Sequence, residues 1–352
     1  GCFHHEVFVS YREEVSSAVD QNDASALESL LGTGGCSESC IHEALMKCTS
    51  RGLTECVRTL LRHGAECNHI DAFTNTPLIL AAEGGHVDIV DLLLENNCEV
   101  NSVDIETRTA LHWASLNGHL AIVERLLAHG AASSKDKIYG FTPLMLAARQ
   151  GHASVIKLLL AQTNDVNDMD IHGETALFDA TRNNNVDCNG ADINHRENEN
   201  RTPLLVAVMW NRPTVVVLLI DANCELDVPA VLSYFMRYRM PNETSRTPLE
   251  AAVLKGYYDI CQILVAAGSD VNVLLNFSRN DIVLSLATST LESTVDPAEW
   301  LDTVTKARSL KQISRVAIRK HLGPIHKKDL RTLRLPDALH QYLLLPELAQ
   351  FR

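Results

Sequence analysis

Aromatic side chains are scarce: Phe, Trp and Tyr make up only 5% of the 352 residues. That is low for a β-sandwich or barrel, whose strands are enriched in aromatics, and ordinary for a helical array. Positive charge is scarce too. Lys and Arg number 31 against 44 Asp and Glu, a net charge of −13, which argues against nucleic acid as the main partner. No apolar run approaches the roughly 20 residues of a membrane span, and the opening residues do not read as a signal peptide. The marks of catalysis are missing as well. There is no phosphate loop, no Gly-x-Ser-x-Gly and no paired metal motif, so neither an enzyme nor a bound cofactor is expected. What the chain does have is apolar content, 46%, enough for a substantial core and too much for disorder as the main state.

Ten cysteines are scattered from Cys2 to Cys261. The only close pair is Cys36-x3-Cys40, with His42 beside it, and no fourth ligand follows at a zinc spacing. They read as structural or reduced surface thiols of a reducing compartment, not as a disulfide framework. The expected location is cytoplasmic, extending to the nucleus.

The dominant feature is an internal repeat. The triplet Thr-Pro/Ala-Leu recurs at Thr76, Thr109, Thr142, Thr175, Thr202 and Thr247, with 33 residues in each of the first three steps. Glu43-Ala44-Leu45 lies one step further upstream. After each triplet comes an alanine-bearing apolar stretch (Ala81-Ala82, Ala147-Ala148), then Gly-His at Gly85-His86, Gly118-His119 and Gly151-His152. A second apolar run and a polar turn such as Asp165-Val166-Asn167 complete the unit. The chemistry fits helix, turn, helix and finger. Thr caps the first helix and Pro is tolerated at its first position. Small alanines let helices approach, and Gly ends the helix. The histidines read as hydrogen-bonding ties between neighbouring turns. One such unit cannot bury its own apolar face, so units must stack.

This pattern resembles the ankyrin repeat, over about residues 10–290. The resemblance implies an all-α solenoid of helix-turn-helix units, assigned to residues 1–305 with irregular caps at both ends. Asn22–Leu31 matches a second helix and reads as an N-terminal cap. Thr175 to Thr202 is only 27 residues, so the unit near 175–201 should have a very short second helix. Thr202 to Thr247 is 45 residues, an insertion of 12 near 228–245. A degenerate unit at about 281–305 closes the array.

Charge changes sign near the C-terminus. Residues 1–305 hold 20 basic and 41 acidic side chains, and residues 306–352 hold 11 basic and 3 acidic. Within this second unit Leu310, Ile313, Ala317 and Leu322 recur at helical spacing, joined by Ser314 and Ile318, with Lys311, Arg315, Arg319 and Lys320 opposite. Gly323-Pro324 ends that helix; Leu333-Arg334-Leu335-Pro336 and an apolar helix from Leu339 follow. A helical hairpin that caps the stack, or a membrane-surface helix, would share much of this pattern. The order and spacing resemble a SOCS box, in which a first helix carries Leu, then Cys, then an aliphatic residue at steps of four, and a Leu-Pro-Leu-Pro run leads into an apolar helix with Tyr. Leu310, Ser314 and Ile318 fall on the first set; Leu333, Leu335, Pro336, Leu339 and Tyr342 fall on the second.

An ankyrin array followed by this box resembles the ankyrin repeat and SOCS box family. The resemblance implies a non-catalytic substrate receptor of a cullin-RING ubiquitin ligase. Leu310, Ile313, Ser314, Ala317 and Ile318 would bind elongin C, held with elongin B. Leu333, Leu335, Pro336, Leu339 and Tyr342 would select cullin-5 with its RING-box protein, and the array would hold a protein substrate for degradation. Ser314 stands where the family has cysteine, and Arg334 where it has its first proline. A hydroxyl in an apolar pocket costs roughly 1–3 kcal/mol, so weakened assembly is the expectation. The alternative is a plain interaction scaffold whose C-terminal helices only cap the stack.

Registering each unit on its Thr places Ile70, Phe73, Val103, Ile105, Tyr139, Phe141, Met169 and Ile171 on successive finger tips. It places Leu116, Met209 and Trp210 on exposed first-helix positions. Fingers are usually polar, so this run is the expected substrate surface, together with Tyr234 and Phe235 of the insertion. An insertion folded back over the thin unit is the other reading of that segment. Asn101, Asn167 and Asn272 each follow an acidic and an aliphatic residue. That pattern resembles ankyrin sites of the asparaginyl hydroxylase that also acts on hypoxia-inducible factor; the competing reading is an Asn that bonds its own loop.

Overall fold

A computed structural model describes residues 2–33, 35–162, 166–184, 190–231, 245–271 and 273. They fall into two compact units, divided between Ile171 and His172. The first holds five helix pairs: α1 (Cys2–Asp20) with α2 (Ala24–Gly32), α3 (Glu38–Ser50) with α4 (Thr54–Arg62), α5 (Pro77–Gly84) with α6 (Val87–Glu95), α7 (Ala110–Asn117) with α8 (Leu120–Ala128), and α9 (Pro143–Gln150) with α10 (Ala153–Gln162). The second holds α11 (Ala176–Arg182), α12 (Pro203–Met209) with α13 (Pro213–Asp221), a two-stranded ribbon of β1 (Ala230–Val231) and β2 (Ser245–Arg246), and α14 (Pro248–Lys255) with α15 (Tyr258–Ala267). None of the described helices is long and apolar enough to cross a membrane.

Each repeat begins where the sequence places a hydroxyl. The Thr76, Thr142, Thr202 and Thr247 side chains accept from the backbone N–H three residues on, at 3.2–3.3 Å. At Thr247 the Glu250 carboxylate reaches back to the Thr247 N–H at 2.8 Å, closing a reciprocal cap. The first full repeat differs. Its helix α3 begins at Glu38, five residues ahead of Glu43, because no Thr-Pro fixes a later start and Ser37 caps it instead, accepting from Cys40 N–H at 3.3 Å.

The Gly-His pair works across repeats. His86, His119 and His152 place Nε2 at 3.3, 3.2 and 2.9 Å from the carbonyls of Ser50, Glu83 and Leu116. Each ring lies against the turn glycine of the preceding unit, so that a Cβ added at Gly52, Gly85 or Gly118 would stand 2.5–2.7 Å from it. Those glycines are also left-handed, with φ of 75–78°, so side-chain absence and backbone freedom are needed at the same position. In the second unit Asn211 adopts φ 51° and Arg212 Nε donates to the Arg182 carbonyl at 2.9 Å. A different residue pair makes the same tie.

The core is formed by the alanines of the first helices and the aliphatics of the second. Ala81, Ala82, Ala114, Ala147 and Ala148 are fully buried, as are Leu60, Leu93 and Leu126, which recur at the 33-residue step. Each such leucine contributes about 1.5–3 kcal/mol. In α11 the third position holds Phe178, fully buried and edge-on to the His195 ring at 6.1 Å. Among the described residues no helix follows α11 before α12, in keeping with a 27-residue step.

The insertion leaves the repeat through β1 and returns through β2, paired antiparallel with Ala230 opposite Arg246 and Val231 opposite Ser245. These are the only strands among the described residues, and no strand was expected from the helical pattern. Residues 232–244, which include Tyr234 and Phe235, lie outside the described residues.

His112 occupies the third position of α7. Buried without exposed area, its Nδ1 accepts from the Thr109 N–H at 3.1 Å and faces Thr109 Oγ1 at 2.9 Å, while Nε2–H donates to the Phe141 carbonyl at 3.2 Å. Burial lowers its pKa from 6.5, against the raising effect of the Phe141 carbonyl. A base whose folded pKa lies below its unfolded one contributes stability above the unfolded value, lost as pH falls from 6.5 through the folded pKa. Chemical denaturation at successive pH values should therefore show the parent losing stability below that point, by at most about 1.4 kcal/mol per pH unit from this group. His112→Gln should flatten that part of the profile; an unchanged slope would remove His112 as its source.

Candidate protein-binding surface

Four of the fingers are each built around one acidic side chain that accepts from backbone N–H groups ahead of it. Asp71 holds Phe73 and Asn75 N–H, both at 2.8 Å. Asp104 holds Glu106 and Arg108 at 2.8 and 2.9 Å, and also the Trp113 indole at 2.7 Å. Asp136 holds Ile138, Tyr139 and Gly140 at 2.7–3.2 Å. In the second unit Glu197 does the same for Glu199 and Arg201. Burial raises the Glu197 carboxyl pKa, but the Arg201 side chain and the two N–H groups lower it further, for a net depression. These anchors were not singled out from the sequence, although an acidic residue five or six places before Thr76, Thr109, Thr142 and Thr202 was there to be read.

Because the carboxylates fix the loop backbones, the tips face outward and join one another. Ile105 N–H donates to the Phe73 carbonyl at 3.1 Å, Lys137 N–H to Thr107 Oγ1 at 2.5 Å, and Ile171 N–H to the Tyr139 carbonyl at 3.0 Å. Neighbouring tips therefore carry Phe73, Ile105, Tyr139 and Ile171 as a row, exposed by 64, 62, 43 and 55%. Ile70, Val103, Ile138 and Met169 are exposed beside them. Phe141 is half-buried, stacked on Tyr139 at 5.7 Å with the Arg149 guanidinium 5.2 Å from its ring centre. In the second unit Trp210 is exposed.

Two expected first-helix positions are corrected. Met209 is buried, because it is the last residue of α12 and turns into the helix packing while Trp210 faces out. Leu116 is half-buried, since the His152 ring hydrogen-bonds its carbonyl from the adjoining repeat.

Asn101 spans to the next turn. Its Oδ1 accepts from Ala132 N–H at 2.8 Å and its Nδ2 donates to the Gly130 carbonyl at 3.3 Å. Asn68 and Asn194 hold Glu99 and Glu225 N–H at 2.8 and 2.7 Å, each 31 residues on. Asp227 takes that role for Asp270 N–H, 43 residues on, the difference being the 12 inserted residues. Asn167 is half-buried at the head of its finger. Asn272 lies outside the described residues, as do all ten residues assigned to elongin and cullin binding, Leu310 to Ile318 and Leu333 to Tyr342.

The eight cysteines whose side chains the structure describes, Cys36 to Cys261, are free thiols. Burial pushes Cys48 and Cys224 up to about 12. These are protonated packing groups, not nucleophiles.

Comparison with known proteins places this architecture. The model of ankyrin repeats (three copies) matches residues 15–104, 45–135, 111–188 and 189–274, which makes the chain an ankyrin-repeat protein. The SOCS box model matches residues 306–344. With both in one chain, the protein belongs to the ankyrin repeat and SOCS box family. Among solved structures, the human ASB11 ankyrin repeat domain is similar at 26% identity and a TM-score of 0.54, over 64% of this chain and 98% of that one. Comparison with curated proteins returned no match. An ankyrin array joined to a SOCS box is the architecture of a substrate receptor of a cullin-RING ubiquitin ligase.

Proposed function

We propose that the finger tips of the array capture a protein substrate while the C-terminal box binds elongin C with elongin B and recruits cullin-5 with its RING-box protein. The observation that carries the substrate half is the row Phe73, Ile105, Tyr139 and Ile171. Exposed apolar residues scattered singly need no explanation, but a contiguous row on hydrogen-bonded loops marks an interface. Tyr and Trp dominate interface energetics, so Tyr139 and Trp210 are the expected anchors. The box half rests on the match at residues 306–344 and on Leu310, Ile318, Leu335 and Pro336 within it. The receptor performs no covalent step of its own; it raises the effective concentration of substrate lysines near a charged ubiquitin-conjugating enzyme.

Phe73→Ala, Tyr139→Ala and Trp210→Ala should each weaken substrate capture by about 1–2 kcal/mol, some 5- to 30-fold. Thermal stability and elongin binding should stay near the parent's. Unchanged capture in all three, measured by quantitative pull-down, would remove the tips as the substrate surface. A collapse of folding would show that they are core.

A further inference from the structure

The geometry points to a zinc-class cation site formed by His42, Glu66 and His69, fastening the start of α3 to the first finger. His42 is the residue that the sequence associates with Cys36 and Cys40, but the fold gives it other company. Residues 38–42, which open α3, stand one 33-residue step before finger residues 71–75, and His42 lies against His69. One nitrogen from each imidazole and one Glu66 carboxylate oxygen lie within 4.8 Å of one another. The two rings stack, with centroids 4.4 Å apart and planes 20° from parallel.

Among the described residues none of the three makes a hydrogen bond or ion pair through its side chain, whereas Lys135 and Asp168 in later fingers pair at 2.9 Å. The neighbouring anchor Asp71 is committed to Phe73, Asn75 N–H and the Asn75 amide. Two imidazoles and one carboxylate form the donor set that suits Zn2+ and its transition-metal neighbours over Mg2+ or Ca2+, which require oxygen. With metal–ligand bonds of about 2.0–2.2 Å, the donors of a tetrahedral ion stand roughly 3.3 Å apart. Closing from 4.8 Å requires the two imidazoles to turn out of their stack, because each donates to an ion in its own ring plane; His42 and His69 are partly exposed and Glu66 is exposed, so the side chains have room to turn. The fourth position is left to water. His69 precedes the exposed Ile70 and lies four residues before Phe73, so an ion here would hold the first tip of the apolar row.

The test uses the full chain, stripped of metal by chelator and kept reduced with a phosphine. Titration with Zn2+ should give one tight site per chain and raise the melting temperature. Co2+ should give visible d–d bands without the near-ultraviolet thiolate-to-cobalt charge transfer. His42→Ala, His69→Ala and Glu66→Gln should each weaken binding at least by the roughly tenfold that loss of a mere supporting residue already costs. The two His→Ala changes together should abolish the thermal shift while the metal-free melting temperature stays near the parent's. Absence of a tight site, equal affinity in the double variant, or a thiolate band assigning the ion to cysteines would each overturn the proposal.

Discussion

Leu310→Ala combined with Ile318→Ala is expected to abolish capture of elongins B and C. The two residues stand eight positions apart, a helical spacing in the sequence, and under the proposed function both side chains would enter elongin C. Burying a Leu or Ile contributes about 1.5–3 kcal/mol each, so losing both should weaken binding by roughly a hundredfold or more. Between them sits Ser314. In that complex its hydroxyl would be desolvated in an apolar pocket at a cost of about 1–3 kcal/mol, and Ser314→Cys should therefore tighten capture. The two variants move affinity in opposite directions on one surface, a pattern that general destabilisation does not produce. Immunoblotting of captured elongins over a salt series measures both. A double variant that captures as well as the parent would leave the C-terminal segment as a cap of the array and favour the scaffold reading.

Phe178→Ala should be the most damaging single truncation in the second compact unit. The ring is fully buried at the third position of α11, in a repeat with no second helix among the described residues to share the load. Truncating a buried Phe costs about 3–5 kcal/mol, part lost transfer energy and part cavity, and stacked repeats draw their stability from nearest neighbours. Phe178→Leu, closer in volume, should cost under about 1.5 kcal/mol. Calorimetry of parent and variants is the check. Equal midpoints for Phe178→Ala and the parent would show that the short repeat has relaxed around another core.

Much of this architecture is legible in the chain because ankyrin geometry is local. Thr76 caps because of its own hydroxyl, and Gly118 turns left-handed because it lacks a Cβ. The 33-residue step then carries those local facts into a stack. The exposed tips were legible for the same reason: once Thr109 is fixed, Val103 and Ile105 have a defined place. What the pattern did not give depends on neighbours. Met209 and Trp210 are adjacent, and only the packing of α12 decides which one is inside. Asp71, Asp104 and Asp136 read as ordinary surface charge until the backbone N–H groups they hold are placed around them. Arg212 shows no likeness to histidine in the sequence, yet it makes the same tie to the turn before it. In the sequence His42 stands beside Cys36 and Cys40; in the fold its neighbours Glu66 and His69 are 24 and 27 residues away.

The joint role of array and box is tested most directly by purifying the full chain from cells with ubiquitin transfer blocked downstream, beside a Phe73→Ala, Tyr139→Ala, Trp210→Ala triple variant, and quantifying everything captured by mass spectrometry. The expected result is elongin B, elongin C and cullin-5 in equal amounts on both chains, with at least one further protein held by the parent and lost from the triple variant. Absence of elongins and cullin-5 from the parent, or an identical set of captured proteins on both chains, would contradict the assignment.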